Sequence, residues 1–217
     1  MKKFYICFVF LGILIIAYPK VNNFYNSYNQ QKLLQSFKQV SPVTIDDNLQ
    51  SNYQAVNQVL NKGETIDSGK ITKSQPDKVL ESENLDVIGT LSINKIELIL
   101  PIVEGSSDKD LKYAAGHLIE TAPIGKKGNA AIAAHRSYTY GKFFNRLDEL
   151  ESGDEIVIQT LTDNHVYSVF NKIVVLPTDM SVLSNLGDDS YITLITCDPI
   201  KNPTHRLIVQ AQKKNDD

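Results

Sequence analysis

Residues 191–211 read YITLITCDPIKNPTHRLIVQA. Two short apolar runs, 191–196 and 207–211, flank a polar stretch that contains Pro199, the pattern of two strands and a connecting loop. If Ile192 and Leu194 point into a core, alternation puts Tyr191, Thr193, Ile195 and Cys197 on the other face. In the second run Leu207, Val209 and Ala211 make the apolar face, and Arg206, Ile208 and Gln210 the opposite one. An antiparallel hairpin closed by residues 198–205 sets Cys197 beside Arg206 on one surface. The proline two positions past Cys197 stops the ladder, so the cysteine stands at a strand-to-loop edge, where functional groups concentrate.

Strand signals recur upstream. Residues 87–93 and 96–103 read as an opening hairpin around a tight Asn94-Lys95 turn. Further strands are expected at 129–134, 155–161 and 166–176, with brief helices at 108–113 and 143–147. Many short strands with turn residues between them predict an all-β unit, a closed barrel or a sandwich, over residues 85–213, followed by a short tail at 214–217. That length suits one compact domain.

The N-terminus differs. Lys2 and Lys3 precede an apolar run, residues 4–18, that ends at Pro19-Lys20. As a helix, the run spans about 22 Å against the ~30 Å of a bilayer core, with tyrosines and lysines to extend its reach. Tyr18-Pro19-Lys20 after Ala17 is a poor processing site. Residues 1–20 are therefore expected to be an uncleaved single-pass membrane anchor with its N-terminus in the cytoplasm, because positive charge resists translocation. Residues 21–84, rich in Asn, Gln, Ser, Lys and Asp, read as a polar stalk able to form short amphipathic helices. The remainder then faces outward. Across the chain, 22 basic against 25 acidic residues leave a formal net charge of -3, which offers no footprint for nucleic acid.

With only two cysteines, Cys7 in the anchor and Cys197 in the outer unit, the chain has no disulfide framework and no cysteine-paired metal site. Taken alone, Cys197 reads equally well as a reactive thiol and as a small buried hydrophobe. A nucleophilic thiol needs a proton carrier. His135 ends the small-residue strand before it and mirrors Cys197 at a strand end. His165 falls in a hairpin turn and reads as solvated; His205 reads as a loop residue supporting Arg206, and His117 as structural. Arg206 keeps its charge at all relevant pH values and so can favour a thiolate or hold an oxyanion. Papain-like order, a caspase signature, helical zinc-site spacing and phosphate-binding glycine loops are all absent from the sequence.

The boxes TLITC (193–197), HRLIVQA (205–211) and GNAAIAAHRSYTYGKFFNRLDELESGDEI (128–156) resemble the sortases, the cysteine transpeptidases of Gram-positive cell surfaces, and class D sortases most. Ala134 stands where the family often has glycine. The resemblance implies a closed eight-stranded β-barrel with short helices, bearing a substrate groove bordered by residues 177–190. It implies Cys197 as nucleophile, His135 as acid and base, and Arg206 as the group that positions substrate and steadies the oxyanion. Ser137, Tyr138, Thr196 and Asp198 are expected to bind substrate. The implied substrates are surface proteins with an LPxTG-like sorting signal, an LPNTA-type variant included, cleaved after Thr. The implied acceptor is an amine of the peptidoglycan precursor lipid II, with a pilin lysine as the alternative. No cofactor or metal is expected; Asp179, Asp188 and Asp189 read as solvated turn carboxylates rather than ligands. A membrane-tethered cysteine hydrolase and a non-enzymatic wall-binding β-domain are the competing readings.

Overall fold

The computed structural model describes residue 24 and residues 27–35, 49–62 and 85–214. The expected anchor and the C-terminal tail beyond 214 lie outside them. No helix among the described residues is long and apolar enough to cross a membrane.

Eight strands close a barrel. In chain order they are β1 (Val87–Ile93), β2 (Leu98–Glu104), β3 (Ala115–His117), β4 (Gly128–Ala133), β5 (Glu155–Thr160), β6 (Asn164–Val175), β7 (Ser190–Asp198) and β8 (His205–Lys213). Around the barrel they run β1-β2-β3-β4-β7-β8-β6-β5 and back to β1. The β2–β3 and β4–β7 pairs are parallel and the others antiparallel. Closure leaves no open sheet.

The opening hairpin forms as read, with Ile93 opposite Leu98. Its connection differs: instead of a two-residue turn, a 3-10 turn over Asn94–Ile96 ends at Glu97, which takes a left-handed φ of 53°. The helix expected at 108–113, α2 (Asp108–Leu111), is shorter than expected and starts from a Ser107–Asp110 capping box. No helix forms over 143–147. Phe143 has φ 48° and bridges to Arg136, and a 3-10 turn follows at Leu147–Glu149. The three-residue strand β3 was too short to carry a periodic signal. His165 is not a solvated turn residue: it lies in β6, buried at 7% exposure, edge-on to Tyr167 and against Gly125.

The core has two layers. Inside the barrel, Leu91, Leu100, Ile132, Ile192, Leu194 and Val209 pack together. Outside, the reverse faces of β4, β7 and β8 carry Ala131, Ala133, Ile195, Cys197 and Ile208. These are covered from the stretch read as a stalk. A helix there, α1 (Leu49–Lys62), presents Tyr53, Val56 and Leu60 to the barrel wall. The spacing of these residues is that of one helical face. Burying Val56 and Leu60 stabilises this contact by about 1.5–3 kcal/mol each. Strands β4 and β7 are thus buried on both sides, which is why their sequences are apolar without strict alternation.

One glycine is fixed by space alone. A Cβ at Gly116 in β3 would sit 2.3 Å from the Gly105 carbonyl oxygen and 2.8 Å from Leu111. Gly116→Ala is expected to cost about 2–3 kcal/mol through overpacking, read as a lowered Tm in thermal melts; an unchanged Tm contradicts the packing described.

Candidate active site

Three neighbouring strands deliver the three predicted groups to one end of the barrel. In the β7–β8 ladder Cys197 pairs directly with Arg206, the juxtaposition that alternation along residues 191–211 requires. In the parallel β4–β7 pair, Ala131, Ala133, Ile195 and Cys197 share the outer face. Ala133 is level with Ile195, the last pair of that ladder, and His135 and Cys197 each follow two residues later, on the same face by alternation. Ala134 N donates to Ile195 O at 3.1 Å and Thr196 Oγ1 donates to Ala134 O at 2.8 Å, extending the tie past the ladder. His135 and Cys197 line one cleft with Leu60, Arg136, Tyr138, Ile200 and Pro203.

The electrostatics follow from burial. Cys197 is 5% exposed, and desolvation pushes its thiol up, against the pull of Arg206 and Arg136, while Asp198 adds to the rise. Burial also pushes His135 down, a shift only partly opposed by Asp108. Both directions disfavour a thiolate–imidazolium ion pair in this conformation. Arg206 is fully buried. Desolvation lowers its pKa, yet a guanidinium stays protonated.

The neighbours of Arg206 are neutral. Its Nε donates to Asn57 Oδ1 at 2.8 Å, Nη2 to Asn61 Oδ1 at 2.7 Å and to Asn57 O at 3.1 Å, and Nη1 to His205 O at 2.9 Å. Among the described residues no carboxylate pairs with it, so its positive charge is not cancelled locally. Such a charge, held dry and pre-oriented, suits a developing oxyanion. Arg206→Lys keeps the charge and loses the planar fork. If Arg206 holds an oxyanion, the variant is expected to lower turnover by about 10²-fold, and full activity in it leaves Arg206 a structural role only.

Helix α1 closes this end. Cys197 Sγ donates to Leu60 O at 3.1 Å, and Asn57 Nδ2 donates to Pro177 O at 2.7 Å. Asn57 thus links the guanidinium, through the helix, to the loop after β6.

The four residues expected to bind substrate part company. Tyr138 is 51% exposed and lines the cleft. Ser137 is buried within its own turn, where its Oγ accepts from Thr139 N at 3.0 Å. Thr196 is buried in the β4–β7 tie. Asp198 holds Arg136, with Nη1 to Oδ1 at 2.5 Å. His117 lies in β3 between Glu104 Oε1 (2.7 Å) and the Ala122 carbonyl (3.0 Å), a structural position. His205 begins β8 opposite Asp198. Asp179 caps a 3-10 turn, Asp188 pairs with Lys127 and Asp189 accepts from Gln212. Among the described residues no three His, Cys, Asp or Glu side chains cluster as a metal site.

A sortase domain family model matches residues 91–214, spanning all eight strands but the start of β1. The chain belongs to the sortase family. As a sortase-family cysteine transpeptidase it is similar to Sortase A of Bacillus anthracis, 34% identical over 165 residues that cover 73% of this chain and 77% of that protein. Among solved structures it resembles a Clostridium perfringens Sortase D5 transpeptidase (36% identity, TM-score 0.55, covering 60% of this chain and 80% of that one). It also resembles the pilus-related Sortase C of Group B Streptococcus (30% identity, TM-score 0.59, covering 86% and 97%). These likenesses spread over sortases named A, C and D, so class D is not favoured over the others.

Sequence reasoning missed Asn57, Leu60 and Asn61, because residues 21–84 were read for their overall polarity. The spacing of Tyr53, Val56 and Leu60 was the available signal. It also missed Arg136, whose signal was a charged residue directly after the candidate base.

Proposed function

We propose that this chain forms a thioester with a sorting-signal peptide and passes the acyl group to an amine. The supporting observation is the register that pairs Cys197 with Arg206, together with the one cleft that His135 and Cys197 line. Cys197 sulfur attacks the carbonyl carbon of Thr in an LPxTG-like signal. His135 takes the thiol proton as the C–S bond forms, Arg206 steadies the oxyanion, and the peptide C–N bond breaks as His135 passes that proton to the leaving amine. An incoming amine then attacks the thioester and gives its proton to His135, the C–S bond breaks, and His135 returns the proton to the departing thiolate. One difficult displacement becomes two easier ones.

For the acceptor, the likeness to the pilus-related Sortase C supports a lysine of a pilin-type protein over a peptidoglycan amine. That likeness reaches across 86% of the chain, beyond the catalytic barrel. The family also supports a membrane-anchored protein with its barrel outside the cell, consistent with an N-terminal anchor whose start is cytoplasmic. The described conformation is closed, since α1 occupies the approach to the thiol and guanidinium; substrate entry requires α1 to move.

The test is incubation of the full chain with a sorting-peptide panel and either a lysine-bearing pilin fragment, a peptidoglycan-precursor amine, or water alone. An acyl-enzyme mass followed by transfer to lysine supports the reading. Transfer to the peptidoglycan amine alone replaces the acceptor, and release to water whatever amine is present makes the chain a hydrolase.

A further inference from the structure

A nucleophile and base pair ordinarily needs a third group to orient the base, most often a carboxylate hydrogen-bonded to the far nitrogen of the imidazole. Here no described residue hydrogen-bonds the His135 ring. Its visible neighbour is Phe143, edge-on at 6.2 Å between centroids and 89° between planes. The Asp108 carboxylate acts on His135 through its charge and not through a hydrogen bond, so the orientation of the ring rests on the backbone that carries it and on that aromatic ring.

Both are tied to one side chain. Arg136, with 5% of its side chain exposed, donates from Nη1 to Asp198 Oδ1 at 2.5 Å and to the Cys197 carbonyl oxygen at 3.4 Å. Its Nη2 meets Asp148 Oδ1 at 2.9 Å, and its Nε donates to Asn145 O at 3.4 Å. Its own backbone bridges to Phe143, while Phe144 N donates to His135 O at 3.0 Å. One planar guanidinium thus reaches the strand end that bears the thiol, the turn that bears Phe143 and the 3-10 turn beyond it, from the position next to the base. A lysine has the charge but not the fork needed for these divergent contacts.

The contrast with Arg206 separates their roles. Arg206 has only neutral acceptors, whereas two carboxylates, Asp148 and Asp198, engage Arg136. The charge of Arg136 is largely neutralised, which makes it a poor oxyanion ligand and a strong brace.

We propose that Arg136 is a positioning residue for transpeptidation: by clamping the Cys197–Asp198 strand end to the His135–Phe143 turn, it takes the place of the orienting carboxylate of a triad. This rests on the thioester reading above. It adds that the base is aimed through its backbone and not through its ring.

The test compares the full wild-type chain with Arg136→Gln, Arg136→Lys and Asp198→Asn, using a sorting peptide and a lysine acceptor. Tm, kcat, KM and the pH profile of Cys197 alkylation by iodoacetamide are measured. For Arg136→Gln, kcat is expected to fall about 10²-fold, the cost of misplacing reacting groups by about 1 Å, with KM little changed. Removing this guanidinium also leaves Asp198 unpaired beside the thiol, so the alkylation profile moves to higher pH. Arg136→Lys is expected to restore the profile but not kcat. Asp198→Asn, which keeps the Asp148 tie and perturbs folding less, is expected to lower kcat by a smaller factor, and combining it with Arg136→Gln adds little. A lowered Tm in Arg136→Gln with kcat and pH profile as in wild type makes Arg136 merely structural and overturns the inference. So does wild-type kcat in Asp198→Asn should Arg136→Gln fail to fold. If the wild-type chain forms no acyl-enzyme, the thioester reading fails instead, and the two failures are told apart by that first control.

Discussion

On the proposed thioester route, Cys197→Ala is expected to abolish the acyl-enzyme on a sorting peptide and to lower transfer by about 10⁴-fold or more, the scale of losing a covalent nucleophile. The barrel should survive the change. Cys197 is the smallest apolar contributor to the outer layer apart from its alanine neighbours, and the variant gives up one sulfur contact to Leu60 O. A Tm within a few degrees of wild type is therefore expected, and it shows that lost activity is lost chemistry. Mass spectrometry after mixing with peptide reads the first half-reaction, and amine transfer reads the second. A folded variant that still cleaves and transfers at the wild-type rate removes Cys197 from the mechanism and with it the thioester. A variant that cleaves but cannot transfer points to direct attack by water.

What the sequence made legible was local. Alternation along residues 191–211 paired Cys197 with Arg206 because strand parity depends only on neighbours in the chain and on one short loop. The partnership of β4 with β7 was not legible: parallel strands far apart in sequence leave no turn to announce them. His135 is therefore singled out in the sequence by its strand-end position alone, and only the structure brings it into one cleft with the thiol. His165 was misread because Thr162, Asp163 and Asn164 look like a turn that should include it. In the structure the strand resumes at Asn164, and the imidazole turns inward onto Gly125, where an added Cβ would lie 2.3 Å from its Nε2. Ser137 and Thr196, expected from the sequence to bind substrate, have roles in the fold that spacing does not show. Their positions flank the site, but their hydroxyls are taken by the turns and ties that hold it, and hydrogen-bond direction is not written in spacing. A short amphipathic helix such as α1 was legible in that polar stretch, but its docking on the barrel wall was not, since one apolar face does not say what it packs against.

Unlocking that helix is expected to make the thiol more reactive, not less. Asn57→Ala with Asn61→Ala removes two side-chain acceptors from Arg206 while raising intrinsic helix propensity, so any opening comes from the lost contacts and not from a frayed helix. Hydrogen bonds to a charged group are worth about 1.5–3 kcal/mol each, and about 1.4 kcal/mol is tenfold in a population. Water can replace the acceptors in the open form but not beneath the closed helix, so the balance moves toward opening. Cys197 alkylation in the full chain is expected to rise at least about tenfold. The pH profile should move as well. In the closed form desolvation outweighs both arginines and holds the thiol up. With water admitted, the desolvation cost shrinks, the pull of Arg206 and Arg136 gains weight, and the alkaline limb of alkylation shifts to lower pH. Peptide turnover should rise with it, provided that Arg206, freed from Asn57 and Asn61, meets the oxyanion instead. A double variant alkylated at the wild-type rate, with an unshifted pH profile, shows that α1 does not govern access. The contact of Leu60 O with the thiol is then no barrier to substrate.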